Sequence, residues 1–192
     1  MVDSIHTDEL VRRAQEGNVE AFEKLVRIYD KRVLSLAVQL VGNTEDAKDI
    51  YQDVFMKVYS RLNQFKLESQ FYTWLYRIVV NCAISYRKKR NRQRHQSIDE
   101  LLDTRGEWQY HFQRSAQNPE KDAISKEILE QIQLTMDNLS LMERVVFVLR
   151  FFEDFKIKDI SEIMGCAEGT VKNYLFRSTR KMRKDLSVFV ET

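Results

Sequence analysis

The sequence holds 1 proline and 5 glycines among its 192 residues. An all-β fold needs frequent turn chemistry, so this scarcity argues against one and favours helices joined by short connections. Cysteine is scarce as well. Cys82 and Cys166 stand far apart, in no metal-ligand spacing, and read as idle or buried thiols rather than a disulfide. The histidines, His6, His95 and His111, occupy unrelated contexts, and there is no HExxH pattern, phosphate-cradling glycine loop or metal-binding group of acids. No catalytic, cofactor or metal site is therefore expected. The opening residues "MVDSIHTDEL" lack the cationic-then-apolar pattern of a secretory signal, and no apolar run approaches membrane-spanning length. A cytoplasmic setting without membrane insertion is the expectation. A large excess of one charge is missing too. The net charge is only +2, so any nucleic-acid surface must come from local clustering of cations.

What is present is helical periodicity, in a chain 43% hydrophobic. Phe22, Leu25, Val26, Tyr29, Val33, Leu36, Ala37 and Leu40 fall on one stripe. Gly42-Asn43-Thr44 ends that helix and offers an N-cap to the next, whose inward line is Ala47, Ile50, Val54, Val58 and Leu62. The other side of this second helix begins acidic, with Glu45, Asp46, Asp49 and Asp53, as suits a helix N-terminus. Residues 96–120 sustain no period, mix acidic and polar side chains, and contain Gly106 and Pro119. They read as a flexible linker. The expected fold is thus all-α: two helical domains, 1–95 and 121–192, joined by the linker at 96–120.

The stretch "FYTWLYRIVVNCAISYRKKRNRQR", Phe71 to Arg94, is a helix-compatible rod with an aromatic end and a cationic end. At 100° per residue Phe71, Leu75, Ile78 and Cys82 line one side, with Trp74 at its edge. Thr73, Arg77, Ile84 and Lys88 take the opposite side, with Asn81 beside them. Phe65, Tyr72, Trp74 and Tyr76 do not all fit inward from so short a segment, so some should be exposed. Aromatic faces beside a row of cations suit single-stranded nucleic acid, where a stacked base contributes about 1–3 kcal/mol. The polar loop "KLESQ" at 66–70, with Lys66 and Ser69, lies next to these aromatics and is placed to cup an extruded base. The plainer alternative makes the aromatics core and the cations a solvated helix end.

The second domain resumes with Ile124, Ile128, Ile132 and Met136, then Met142, Val145, Val146, Leu149 and Phe152. In "IKDISEIMGCAEGTVKNYLFRSTRKMRK" a short helix with Ile157, Ile160 and Ile163 inward precedes a glycine-containing turn. A second helix then carries Val171, Leu175 and Met182 inward. This is helix-turn-helix grammar. The outer face bears Lys172, Asn173, Phe176, Arg177 and Arg180, types that reach phosphates or base edges.

In this order the motifs resemble the bacterial sigma-70 family of RNA polymerase sigma factors, in particular the short extracytoplasmic-function (ECF) group. "NTEDAKDIYQDVFMKVY" resembles the region that docks on the polymerase clamp, and "FYTWLYRIVVN" the melting region. "NCAISYRKKR" resembles the reader of the −10 element, and "GCAEGTVKNYLFRSTRKMR" the reader of the −35 element. The likeness covers most of the chain outside the linker. It implies a factor that directs core RNA polymerase to promoters, with three partners: core polymerase (β′ clamp coiled coil and β flap), promoter DNA and an anti-sigma factor. By that likeness Asp49, Gln52 and Asp53 meet the coiled coil. The 66–70 loop and its aromatic neighbours receive a flipped −10 base, and Arg77, Asn81 and Lys88 face promoter DNA. Thr170, Lys172, Asn173, Arg177 and Arg180 contact the −35 element. The linker, with Asp99, Glu100, Asp103 and Glu107, threads toward the active site and RNA-exit path. The chain departs from the family at Ser85, where Asp is common, and at Asn173, Tyr174 and Phe176 in the recognition helix. It also lacks an obvious cap residue at Lys156. An autonomous helix-turn-helix regulator is the alternative; it explains 139–184 but gives no reason for the aromatic–basic rod.

Overall fold

The computed structural model describes residues 4–96 and 119–189, with side chains described over 6–90, at 92 and over 127–189. Asp99, Glu100, Asp103 and Glu107 of the expected linker lie outside the described residues. Among the described residues every regular element is helical. They form α1 (Ser4–Gln15), α2 (Val19–Val41), α3 (Thr44–Arg61), a 3-10 turn (Leu62–Gln64) and α4 (Phe71–Gln96). After the gap come α5 (Pro119–Asp137), α6 (Leu141–Phe151), α7 (Ile157–Met164), α8 (Glu168–Asp185) and a 3-10 turn (Ser187–Phe189). Pro119 takes the first helical position of α5, where its missing N–H would have had no partner in any case. The chain divides into two compact units, one containing α1–α4, the other α5, α6, α8 and the N-terminal part of α7.

In the first unit α2 packs on α1 and α3, and α4 touches all three. The stripes foreseen on α2 and α3 form its core. Leu25, Val33, Leu36, Ala47, Ile50, Val54, Val58 and Leu62 are buried, while Phe22 and Val26 sit at the margin, half-buried. Each buried Leu, Ile or Val among them contributes about 1.5–3 kcal/mol when fully withdrawn from water, and Ala47 less. The α2–α3 junction is built by three consecutive residues. Gly42, at φ 91°, takes the left-handed C-cap and donates its N–H to Val38 O (2.8 Å). Asn43 accepts from the Asp46 N–H (2.8 Å), and Thr44 opens α3.

In the second unit Ser140 and Glu143 form a reciprocal capping box at the start of α6. Val145, Val146, Val148 and Leu149 are buried. The end of α5 is sealed by Arg144, which is 1% exposed; its guanidinium donates to Met136 O (3.0 Å) and Asp137 Oδ1 (2.8 Å). Two bonds reach α8: Lys181 donates to Glu143 Oε2 (2.7 Å) and Thr135 to Asp185 Oδ2 (3.1 Å). Ile160 and Ile163 of α7 are buried as expected, with Ile157 half-buried. The missing cap at Lys156 is supplied from inside the helix, where Asp159 accepts the Lys156 N–H (3.4 Å). The turn after α7 uses Gly165 at φ 64°, and the Cys166 N–H reaches back to Ser161 O (3.1 Å).

Candidate polymerase and nucleic-acid interfaces

The rod is one uninterrupted helix, α4. Phe71, Leu75, Ile78 and Cys82 are buried, as their spacing demands. Arg77, Asn81, Ser85 and Lys88 are exposed along the opposite stripe, with Ile84 half-buried among them. Two expectations at the aromatic end need correction. Tyr76 is 2% exposed and Phe65 6%, so neither offers a face to a base. Thr73, expected outside beside Arg77, is buried. The reason is that α4 has three helical neighbours, so its buried arc is far wider than a single stripe. The chain reversal after the 3-10 turn also folds Phe65 back onto the first turn of α4. There its ring lies 5.8 Å from Phe71 and 5.0 Å from Trp74. Tyr72 and Trp74 remain half-buried.

Beside them runs the 66–70 loop. Lys66, Glu68, Ser69 and Gln70 are exposed, and Leu67 takes the left-handed region at φ 57°. The root of the loop is gripped by a residue that sequence reasoning missed. Gln15, at the end of α1, donates its side-chain amide to Leu62 O (2.8 Å) and Phe65 O (2.7 Å). Nothing in the local pattern around Gln15 marks it, since its partners lie some fifty residues on.

On α3, Asp49, Gln52 and Asp53 are exposed together on one helical face. Met56, one turn further on at 71% exposure, is an apolar residue at the C-terminal edge of this acidic face. Its signal was present in the sequence, seven residues after Asp49 and on the same side. Asp46 does not join this face. It accepts from Asn43 Nδ2 (2.7 Å) and pairs with Arg90 of α4. Burial, then the hydrogen bond and charge of Asp46, push the nearby Tyr86 hydroxyl up to about 12. Arg90 is thereby withdrawn from the cationic run and used to tie α3 to α4. Cys82, read as an idle or buried thiol, is buried and accepts from Lys57 Nζ (3.2 Å). Burial raises its pKa, with Lys57 opposing.

On α8, Val171, Ser178 and Met182 are buried, while Leu175, expected inward, is half-buried. Lys172, Asn173, Phe176, Arg177 and Arg180 are exposed, and Thr170 is half-buried at the margin. At 100° per residue these six span an arc of about 160°. A Cβ at Gly169, in the first turn of α8 and inside that arc, would meet nothing within 4 Å, so the N-terminal end of the face is open. Lys172 lies 4.0 Å from Glu168, a loose exposed pair that leaves the ammonium available. Among the described residues no group of His, Cys, Asp or Glu is arranged to hold a metal, and no helix is long and apolar enough to cross a membrane.

Comparison with known proteins gives these faces a context. The family model for Sigma-70 region 2 matches residues 25–93, and that for Sigma-70, region 4 matches residues 129–182. The chain is 33% identical to the RNA polymerase sigma-H factor of Pseudomonas aeruginosa, over 97% of this chain and 96% of that protein. It is 34% identical to the ECF RNA polymerase sigma-E factor of Haemophilus influenzae, over 93% and 94% of the two chains. Against the ECF RNA polymerase sigma-E factor of Escherichia coli K12 the identity is 32%, over 93% of each. In fold it is similar to the sigma factor RpoE from Bartonella quintana, solved in complex with the anti-sigma factor NepR. That match has a TM-score of 0.71 at 23% identity and covers 87% of this chain and 97% of that one. It is likewise similar to CnrH, solved in complex with the cytosolic domain of CnrY. There the TM-score is 0.67 at 21% identity, covering 95% and 98%.

Proposed function

The chain belongs to the sigma-70 family of RNA polymerase sigma factors, in its extracytoplasmic-function group, and we propose that its exposed helical faces divide promoter-specific initiation into separate contacts. Its function is promoter-specific transcription initiation, with RNA polymerase and promoter DNA as partners. Asp49, Gln52 and Asp53, with Met56 at their C-terminal edge, form the face for the β′ clamp coiled coil. An acidic face flanked by an exposed apolar side chain fits a basic surface while burying some area on contact. In α4, Arg77, Asn81 and Lys88 follow the duplex, and Tyr72 and Trp74 with the 66–70 loop, through Lys66 and Ser69, hold the extruded −10 base. Phe65 and Tyr76 support that site from beneath. Thr170, Lys172, Asn173, Phe176, Arg177 and Arg180 read the −35 element. The β flap is the second polymerase contact. The factor acts by binding, the polymerase supplies the chemistry, and the cytoplasm is the setting. An anti-sigma factor is the regulating partner, a reading supported by the RpoE–NepR complex.

The observation that carries this reading is the exposed stripe Arg77–Asn81–Lys88, which begins beside Tyr72 and Trp74 on the same helix. Cations on the backbone and an aromatic end for an open base are the two requirements of a strand trap. The test is transcription from genomic fragments with purified core polymerase, followed by permanganate footprinting. Reactive thymines in the −10 region are expected only when both proteins are present. If no complex containing the chain gives reactive thymines, the melting role falls. Tight operator binding without polymerase, and no effect on initiation, would point instead to an autonomous regulator.

A further inference from the structure

We propose that Gln15, at the C-terminal end of α1, is a positioning residue for −10 base selection, holding the 66–70 loop in its receiving shape by gripping its root. The inference rests on the reading of that loop as the receiver of the extruded base. A carboxamide NH2 carries two hydrogens, and Gln15 uses both on the root of the loop: Leu62 O at 2.8 Å and Phe65 O at 2.7 Å. These two carbonyls bracket the 3-10 turn, and the Phe65 N–H also closes onto Leu62 O (3.0 Å). The turn is thus locked from its own backbone and from α1 at once.

Gln15 is itself rigidly held. It is the last residue of α1, followed by a left-handed Gly17 at φ 91° and a return bond from the Asn18 N–H to Arg13 O (3.0 Å). The loop beyond needs such an anchor. Four of its five side chains face water, and Leu67 sits at φ 57°, a conformation that a leucine does not favour and that its surroundings must impose. On the other flank the Phe65 ring is pinned against Phe71 and Trp74, so backbone and ring of one residue are fixed from two sides. Releasing the backbone side lets Lys66 to Gln70 drift relative to Tyr72 and Trp74. A shift of about 1 Å is enough to spoil a positioned site.

The test uses full-length chain with core polymerase, on a promoter recovered from genomic fragments and on versions with each −10 base changed singly. The readout is the ratio of transcript from the original to transcript from each changed promoter, in which the fraction of folded protein cancels. Gln15→Met keeps the length and removes the donors; Gln15→Lys restores donors; Ser69→Ala touches the loop directly. The expected result is a drop of about tenfold in the ratio at one −10 position for Gln15→Met. The drop should recur at the same position for Ser69→Ala and be largely reversed by Gln15→Lys, with the ratios at the other −10 positions unchanged. If Ser69→Ala lowers the ratio and Gln15→Met does not, the positioning role is overturned while the loop reading stands, even where Gln15→Met lowers the melting temperature. If neither lowers it, the loop reading fails and takes this proposal with it.

Discussion

Glu143 and Arg144 are adjacent on α6 and both almost wholly buried, yet their charges are handled differently. Burial alone would raise the Glu143 pKa, but the Lys181 ammonium and the Ser140 backbone and hydroxyl donors more than offset it, so the carboxyl is held below its ordinary value. A carboxylate whose folded pKa is depressed stabilises fully above the unfolded-state value near 4.5 and loses that contribution as pH falls through the folded value. Glu143→Gln keeps a capping-box side chain and removes the charge. It should cost about 1 kcal/mol at pH 7 and nothing once the wild-type carboxyl is protonated, as thermal melts at both pH values would show. Arg144 is a different case. Its donors reach the Met136 carbonyl, which also accepts the Leu139 N–H (3.2 Å), and Asp137 Oδ1, so Arg144→Met removes charge-assisted bonds at the end of α5. A loss of about 2–3 kcal/mol in denaturant melts is expected, with little dependence on pH near neutrality.

At the level of the helix, α4 puts two neighbouring cations to opposite uses. Lys88 is exposed on the outer stripe proposed to face promoter DNA, whereas Arg90 is spent on Asp46. Lys88→Ala should therefore leave the melting temperature alone and reduce the salt slope of promoter binding by about one phosphate contact. Arg90→Ala should lower stability by about 1 kcal/mol, because it unties α3 from α4. The sequence carried half of this distinction. Phe71, Leu75, Ile78 and Cys82 could be read as an inner line because one helix's own period sets them. The burial of Tyr76 and Thr73 could not, since it depends on three helices closing around α4. Phe65, Arg90 and Gln15 were illegible for a related reason: each owes its role to a partner brought near only by the chain reversals. On α8 the outward face was legible almost whole, because a surface helix with one packed side obeys its period more simply.

For the molecule as a whole, a net charge of +2 conceals a division of labour. The exposed face of α3 is acidic, and the exposed faces of α4 and α8 are cationic. Spread evenly, the same charges would give neither a polymerase contact nor a DNA contact. On the proposed assignment the segregated faces serve both contacts, and the small total predicts weak duplex binding by the free chain. This arrangement makes a prediction in which two measurements move in opposite directions. Asp49→Lys with Asp53→Lys changes the net charge by +2 twice, from +2 to +6. Both positions are exposed, so the first unit should still fold, as circular dichroism would register. The free chain should then bind duplex more tightly at low salt, since total cationic charge has risen. Its affinity for core polymerase should fall about tenfold or more in a pull-down titration, and promoter-specific transcripts should fall with it. If duplex binding and transcription instead rise together, the acidic face is only a brake on DNA binding, and the assignment of Asp49, Gln52 and Asp53 to the polymerase is wrong.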